Sequence, residues 1–149
     1  MIPSPLAPVR DRPPASYADG SALVQCLPDG PFHEAWSQWR AGRRLVTSQV
    51  GITELHGIAW PRGPRARDVA DEVEASLEVL RFTEKALEVA SHVSTALSSF
   101  VALHIGTAVA HPDVDTVVTY QTDLARVAAL YQLRVVTPGW PDRWWEGAP

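Results

Sequence analysis

One cysteine, Cys26, stands in a chain of 149 residues, which excludes an internal disulfide and suits a reducing, cytoplasmic compartment. Long hydrophobic runs are missing too. No stretch approaches the ~20 apolar residues that a membrane-spanning helix requires, and the segment from Met1 to Pro14 lacks the apolar core of a signal peptide. The expectation is a soluble cytoplasmic protein with no membrane partner. Basic charge is also in deficit, since 13 Lys and Arg face 17 Asp and Glu and leave a net charge of −4. That balance excludes a broad, salt-dependent nucleic-acid surface, while a small basic rim beside an acidic site remains open.

The length is that of one domain large enough to bury a core. A hydrophobic fraction of 46% with 20% charged residues belongs to a globular chain rather than a disordered one. Residues 1–14 hold five prolines and read as a Pro-rich extension, and residues 140–149 form a tail with Trp140, Trp144 and Trp145 that is either a latch or a contact with another chain. The domain between them spans residues 15–139.

Tyr17-Ala18-Asp19-Gly20-Ser21 is an apolar run that stops at a carboxylate, so Asp19 should end a strand and Ser21 open a helix, with residues 23–27 as its helical continuation. A helix over residues 32–41 follows. Phe32, Trp36 and Trp39 share one of its faces, which is either core or, with Trp60, part of a partner-binding groove. A short strand, Leu45 to Thr47, leads to Ser48 as the N-cap of a helix reaching Trp60. Glu54 lies inside that apolar helix, a costly place for a carboxylate unless something cationic faces it.

Beyond the basic stretch Pro61 to Arg67, a helix over 65–76 and a strand over 78–83 are expected, the acids Asp68, Asp71, Glu72 and Glu74 forming a solvated face. Helices over 84–93 and 96–110 come next. A β-branched strand over 113–120, a helix from Gln121-Thr122-Asp123 to Tyr131 and a last strand over 133–137 complete the domain. Helices alternating with short strands imply crossover connections and a mostly parallel sheet, an α/β fold.

Five segments carry a resemblance: residues 17–24, Val46-Thr47-Ser48 with Glu54, Ala102-Leu103-His104, Val117-Val118-Thr119-Tyr120, and Val135-Val136-Thr137-Pro138-Gly139. In this order the chain resembles the PIN-domain family over residues 16–139, and within it the VapC-type toxins. The resemblance implies a three-layer α/β/α sandwich around a short parallel sheet, a divalent-metal-dependent endoribonuclease activity using Mg²⁺ or Mn²⁺, RNA as substrate, a homodimer, and a small antitoxin as partner. Its chemistry needs several carboxylates converging on one point, because a hard cation takes oxygen ligands, orders a water and offsets charge on the phosphate.

The residues implied as metal ligands are Asp19 and Glu54, with Ser21 beside them. The position of a third family acid is occupied by Val101, and that of a fourth by Gln121, whose amide oxygen is a neutral ligand. Asp123 either completes the site as a catalytic acid or stabilises the first turn of its own helix. His104 is expected to be a structural core residue, Thr119 a lining residue, and Asp115 a solvent-facing acid at the opposite end of the sheet. Two functions follow: a toxin-type ribonuclease with an impaired acidic site, or a silent PIN-like protein that binds an antitoxin or RNA without cleaving. An unrelated α/β domain would leave Asp19 and Glu54 far apart.

Overall fold

In the computed structural model, which describes residues 12–149, strand β1 (Ala15–Ala18) is the middle of a five-stranded sheet. It leads into a one-turn helix α1 (Gly20–Leu23), a 3₁₀ turn over residues 24–26 and helix α2 (His33–Arg40). Next come β2 (Arg44–Ser48), α3 (Gln49–Ala59), a 3₁₀ turn over 60–62, and α4 (Pro64–Ser76). Then β3 (Glu78–Leu80), α5 (Glu84–Val93), α6 (Ser99–Ala110), β4 (Val114–Val118), α7 (Thr122–Leu130) and β5 (Arg134–Val136) complete the domain. Most of the Pro-rich extension lies outside the described residues.

The strand order is β3-β2-β1-β4-β5, and each neighbouring pair is parallel. Parallel pairing demands a crossover between successive strands, and the helices supply it. From β1 the chain builds outward through β2 to β3, then returns to place β4 on the other flank of β1. Sheet order therefore reverses beside β1, and loops at the strand C-termini part there to leave a crevice.

Alternation along the strands divides the core into two apolar layers. Ala18, Leu45 and Val118 face α1 to α4, including Leu23, Trp36, Ile52, Leu55 and Ala70. Tyr17, Val46 and Val117 face the other side, against Val101, Ile105, Leu124 and Ala128 of α6 and α7. The result is the three-layer α/β/α sandwich.

Several expectations shift by local chemistry. Helix α1 begins at Gly20, one residue before the expected Ser21, because Asp19 is its N-cap and accepts the Ala22 N–H. Ser48 stands at the α3 N-cap position without a capping bond, its hydroxyl engaged elsewhere. The strands are shorter than their β-branched runs: β3 ends at Leu80 and β4 spans only Val114–Val118. Ser98 caps α6, so that helix starts at Ser99 and not near Ala96.

The aromatic face of α2 does not form one groove. Trp36 is fully buried in the core, Trp39 is half-buried against it, and Phe32 lies outside the helix, stacked on Tyr120. Trp60 is exposed, with the Arg67 guanidinium 3.9 Å from its ring centre. The C-terminal tail folds back on the domain: Trp144 Nε1–H donates to Thr137 Oγ1 at 2.7 Å, Trp145 is buried, and Arg126 donates to the carbonyls of Trp145 and Ala148. No helix among the described residues is long and apolar enough to cross a membrane.

Candidate functional site

Asp19 follows the last residue of the central strand, at the crevice edge of the sheet. Its side chain is 0% exposed. One carboxylate oxygen, Oδ1, accepts from the Ser21 hydroxyl at 2.7 Å and from the Ala22 N–H at 3.1 Å; Oδ2 accepts from the Thr119 hydroxyl at 2.8 Å. Thr119 comes from the end of β4, so two adjacent strand ends converge on one acid. Burial pushes the Asp19 carboxyl above its ordinary range, opposed by the positive field of His104 and by the bonds from Ser21, Thr119 and Ala22.

Glu54 arrives from the second turn of α3. It can approach because residue 20 is glycine: a Cβ there would lie 2.2 Å from Glu54 Cβ. The Gly20 N–H donates to Glu54 Oε1 at 3.3 Å, and Gly20 is covalently next to Asp19. This close contact sets Glu54 against the residue that follows Asp19.

The partner that the apolar setting of Glu54 calls for is His104. Its Nε2 bonds the same Glu54 Oε1 across from α6. His104 Nδ1 in turn shares a 2.7 Å hydrogen bond with the Tyr17 hydroxyl, which donates to Ser48 Oγ at 2.7 Å. Tyr17, Ser48 and His104 are buried, so a polar chain runs beneath the crevice and ends on Glu54. Every buried side-chain polar atom among the described residues has a partner.

His104 is the structural core residue its sequence setting implies, and it also orients a candidate acid. The missed signal was the unpaired acid in α3 and the lone imidazole in α6, each of which needs a buried partner.

A crevice of about 360 Å³ opens over these groups, lined by Gly20, Ser21, Val24, Glu54, Ile58 and Gln121 among others. Ser21, whose hydroxyl also accepts the Tyr120 N–H, stands between that space and Asp19. No hydrogen bond engages Glu54 Oε2 among the described residues, while Oε1 has two donors. Ser21 and Gln121 thus line one crevice with Glu54.

Val101 and Asp123 are not among the lining residues. Val101 is 8% exposed and packs in the apolar layer beneath α6. Asp123 is exposed in the first turn of α7, where a carboxylate complements the helix N-terminus. Asp115 is exposed on β4, towards the opposite end of the sheet.

Two other clusters lie apart from this crevice. A cavity of about 380 Å³ is lined by Pro28, Asp29, Arg62, Arg65 and Ala66; it shares no residue with the acids, and Arg62 already pairs with Asp29. His56, Asp71 and Glu74 lie within 4.8 Å of one another, but Asp71 is exposed and the imidazole between the two carboxylates accounts for the grouping.

Among known proteins, the 1,4-alpha-glucan branching enzyme GlgB of Cereibacter sphaeroides is similar at 30% identity over 80 residues, which is 53% of this chain and 10% of that enzyme. A stretch that small carries no part of the enzyme's activity to this chain. No solved structure matches. The PIN domain pattern matches residues 16–130, a range that begins within β1 and runs to the last residue of α7, taking in Asp19, Glu54, His104, Thr119 and Gln121. A central parallel strand followed by a buried acid, with an acid from α3 against the next residue, is thus set in a matching domain, and the chain belongs to the PIN-domain family, a family of nuclease-type α/β domains.

Proposed function

We propose that this protein is a divalent-metal-dependent endoribonuclease of the VapC toxin kind, working through a reduced set of acids. The observation that carries the reading is the approach of Glu54 to Gly20, the residue that follows Asp19, on the C-terminal edge of the sheet. An unrelated α/β domain has no reason to place a glycine where only its lack of Cβ admits a carboxylate.

The residues fit a hard cation. The carboxylates of Asp19 and Glu54, the Ser21 hydroxyl and the Gln121 amide oxygen are all oxygen donors of the kind Mg²⁺ or Mn²⁺ takes. Such an ion, when bound, supplies an activated water and offsets charge on the phosphate. The chain's own contribution is positional. His104 and the Gly20 N–H hold Glu54 Oε1, so Oε2 is the oxygen left for a ligand. Thr119 and Ser21 hold both oxygens of Asp19. RNA is the substrate in this reading, Asp123 is a helix-terminal acid rather than a catalytic one, and the protein pairs as a homodimer with a small antitoxin laid near Trp39 and Trp60.

A second reading, a PIN-like protein that binds antitoxin or RNA without cleaving, is favoured by one observation. Asp19 is sealed beneath Ser21, accepts from three donors and has its carboxyl pushed up by burial, which opposes the charged form a metal needs. Cleavage of a mixed structured-RNA substrate with Mg²⁺ and with Mn²⁺, comparing wild type and Asp19→Asn, separates the two. Metal-dependent cleavage lost in the variant supports the nuclease; no cleavage above the variant leaves the binder.

A further inference from the structure

Glu54 borders a second, smaller cleft of about 140 Å³, lined by Gln49, Val50, Thr53, Phe82 and Phe100 as well as Glu54. The acid therefore stands at the seam of two spaces: the crevice with Ser21 and Gln121 on one side, and this second cleft on the other. Phe82, in the segment after β3, is 37% exposed, and Phe100, in the first turn of α6, is 62% exposed. Two phenylalanines from separate elements thus leave ring surface in water beside a nuclease-type site, although water is the costly place for it.

The chemistry of the lining selects an occupant. Glu54 is the only formally charged side chain among the six, and its sign repels phosphate, so the cleft does not hold an RNA backbone. An uncharged, flat group with a π-face suits it, and polar groups sit on the rim. The exposed Gln49 carries an amide that can both donate and accept, and the Thr53 hydroxyl, already donating to the Gln49 carbonyl, can still accept. Unstacked bases of single-stranded RNA are recognised by this combination of aromatic stacking and edge hydrogen bonds.

We propose that the Phe82–Phe100 cleft is a nucleobase-stacking subsite for single-stranded RNA, seating a base on the far side of Glu54 from the crevice. This inference rests on RNA being the substrate class, and not on cleavage being intact. It also gives a means of retention to a chain whose net charge of −4 supplies little phosphate neutralisation. Binding through stacking predicts a shallow salt dependence.

The test uses the full chain carrying Asp19→Asn, without divalent metal, and a fluorescein-labelled single-stranded oligoribonucleotide read by anisotropy. Phe100→Ala should weaken binding about tenfold, as loss of one stacked base does, with the unfolding temperature unchanged. Phe100→Trp should retain affinity and add RNA-dependent quenching of fluorescence. An oligonucleotide with abasic residues should bind weakly and be indifferent to Phe100→Ala. Equal affinity of Phe100→Ala and its parent, equal affinity for intact and abasic strands, no RNA binding at all, or a change in oligomer mass on Phe100→Ala would each overturn the subsite, the last by marking a protein–protein face. Phe100-dependent binding with no cleavage by wild type removes the nuclease reading alone. Cleavage by wild type with Phe100-independent binding removes the subsite alone.

Discussion

Adding one methyl group at Gly20 tests the geometry of the acid pair, because helix propensity and packing disagree on the sign of its effect. Alanine is favoured over glycine in a helix by about 0.5–1 kcal/mol, so propensity alone has Gly20→Ala stabilising α1. The structure opposes this. The new Cβ would meet Glu54 Cβ at 2.2 Å, Cδ at 2.8 Å and Cγ at 3.0 Å. Cβ is the root of the side chain, so no rotamer change clears it, and α1 must shift against α3. Overpacking of this kind costs about 1–3 kcal/mol. Parting Glu54 from the Gly20 N–H and from His104 adds roughly 1 kcal/mol, a value kept low because the Glu54 side chain is 27% exposed. After the propensity gain, the net destabilisation is about 2 kcal/mol, or roughly 4–8 °C in Tm for a chain of this size. Gly57→Ala is the control. Gly57 sits in α3 with nothing within 4 Å of its missing Cβ, so the same substitution should stabilise by about 0.5–1 kcal/mol. Calorimetric unfolding of both variants decides the matter. A Gly20→Ala protein as stable as wild type, or more so, would refute the close approach of α1 to Glu54.

Other consequences are as direct. Because burial raises the Asp19 carboxyl, the folded chain keeps a proton that the unfolded chain has released; this contribution is full below the ordinary carboxylate value and is lost as pH rises through the raised folded value. Asp19→Asn should flatten that part of the Tm-against-pH profile, and an unaltered slope would contradict the assignment. His104→Ala strips Glu54 and Tyr17 of a buried partner and opens a void, costing about 3 kcal/mol in urea unfolding; a loss under about 0.5 kcal/mol would show that the polar chain is idle. Gln121→Asp puts a carboxylate on the crevice wall and should raise Mn²⁺ affinity about tenfold by calorimetry. Val101→Asp instead buries a charge in the apolar layer under α6 and should lower the stability of the metal-free chain. Unchanged Mn²⁺ binding in Gln121→Asp, or unchanged stability in Val101→Asp, would each count against the placement of that residue.

Much of the fold was readable along the chain, for a reason that particular residues make plain. Tyr17-Ala18 and Val117-Val118 are apolar runs too short for helices, each is followed by a turn or cap residue, and helical patterns separate them, so crossover connections and a parallel sheet are the only way to pair them. Boundaries were less legible. Where β3 stops, or that α6 waits for Ser98, depends on which backbone groups find partners across the sheet or at a cap.

The acids were legible as types and not as a site. Asp19 announced itself by ending an apolar run, and Glu54 by interrupting an apolar helix, properties of local sequence and solvation. That Gly20 admits Glu54, that His104 reaches it from the opposite layer with Tyr17 and Ser48 behind, and that Val101 and Asp123 stay away from the crevice are matters of which helix faces which strand end. The sequence by itself determined most element types and the parallel α/β class, and made two acids stand out, because periodicity and burial cost act over a few neighbouring residues. Only the tertiary structure decided how those acids are held and what surrounds them, because a hydrogen bond between α3 and α6 depends on the packing of both helices across the sheet edge, which no local pattern encodes.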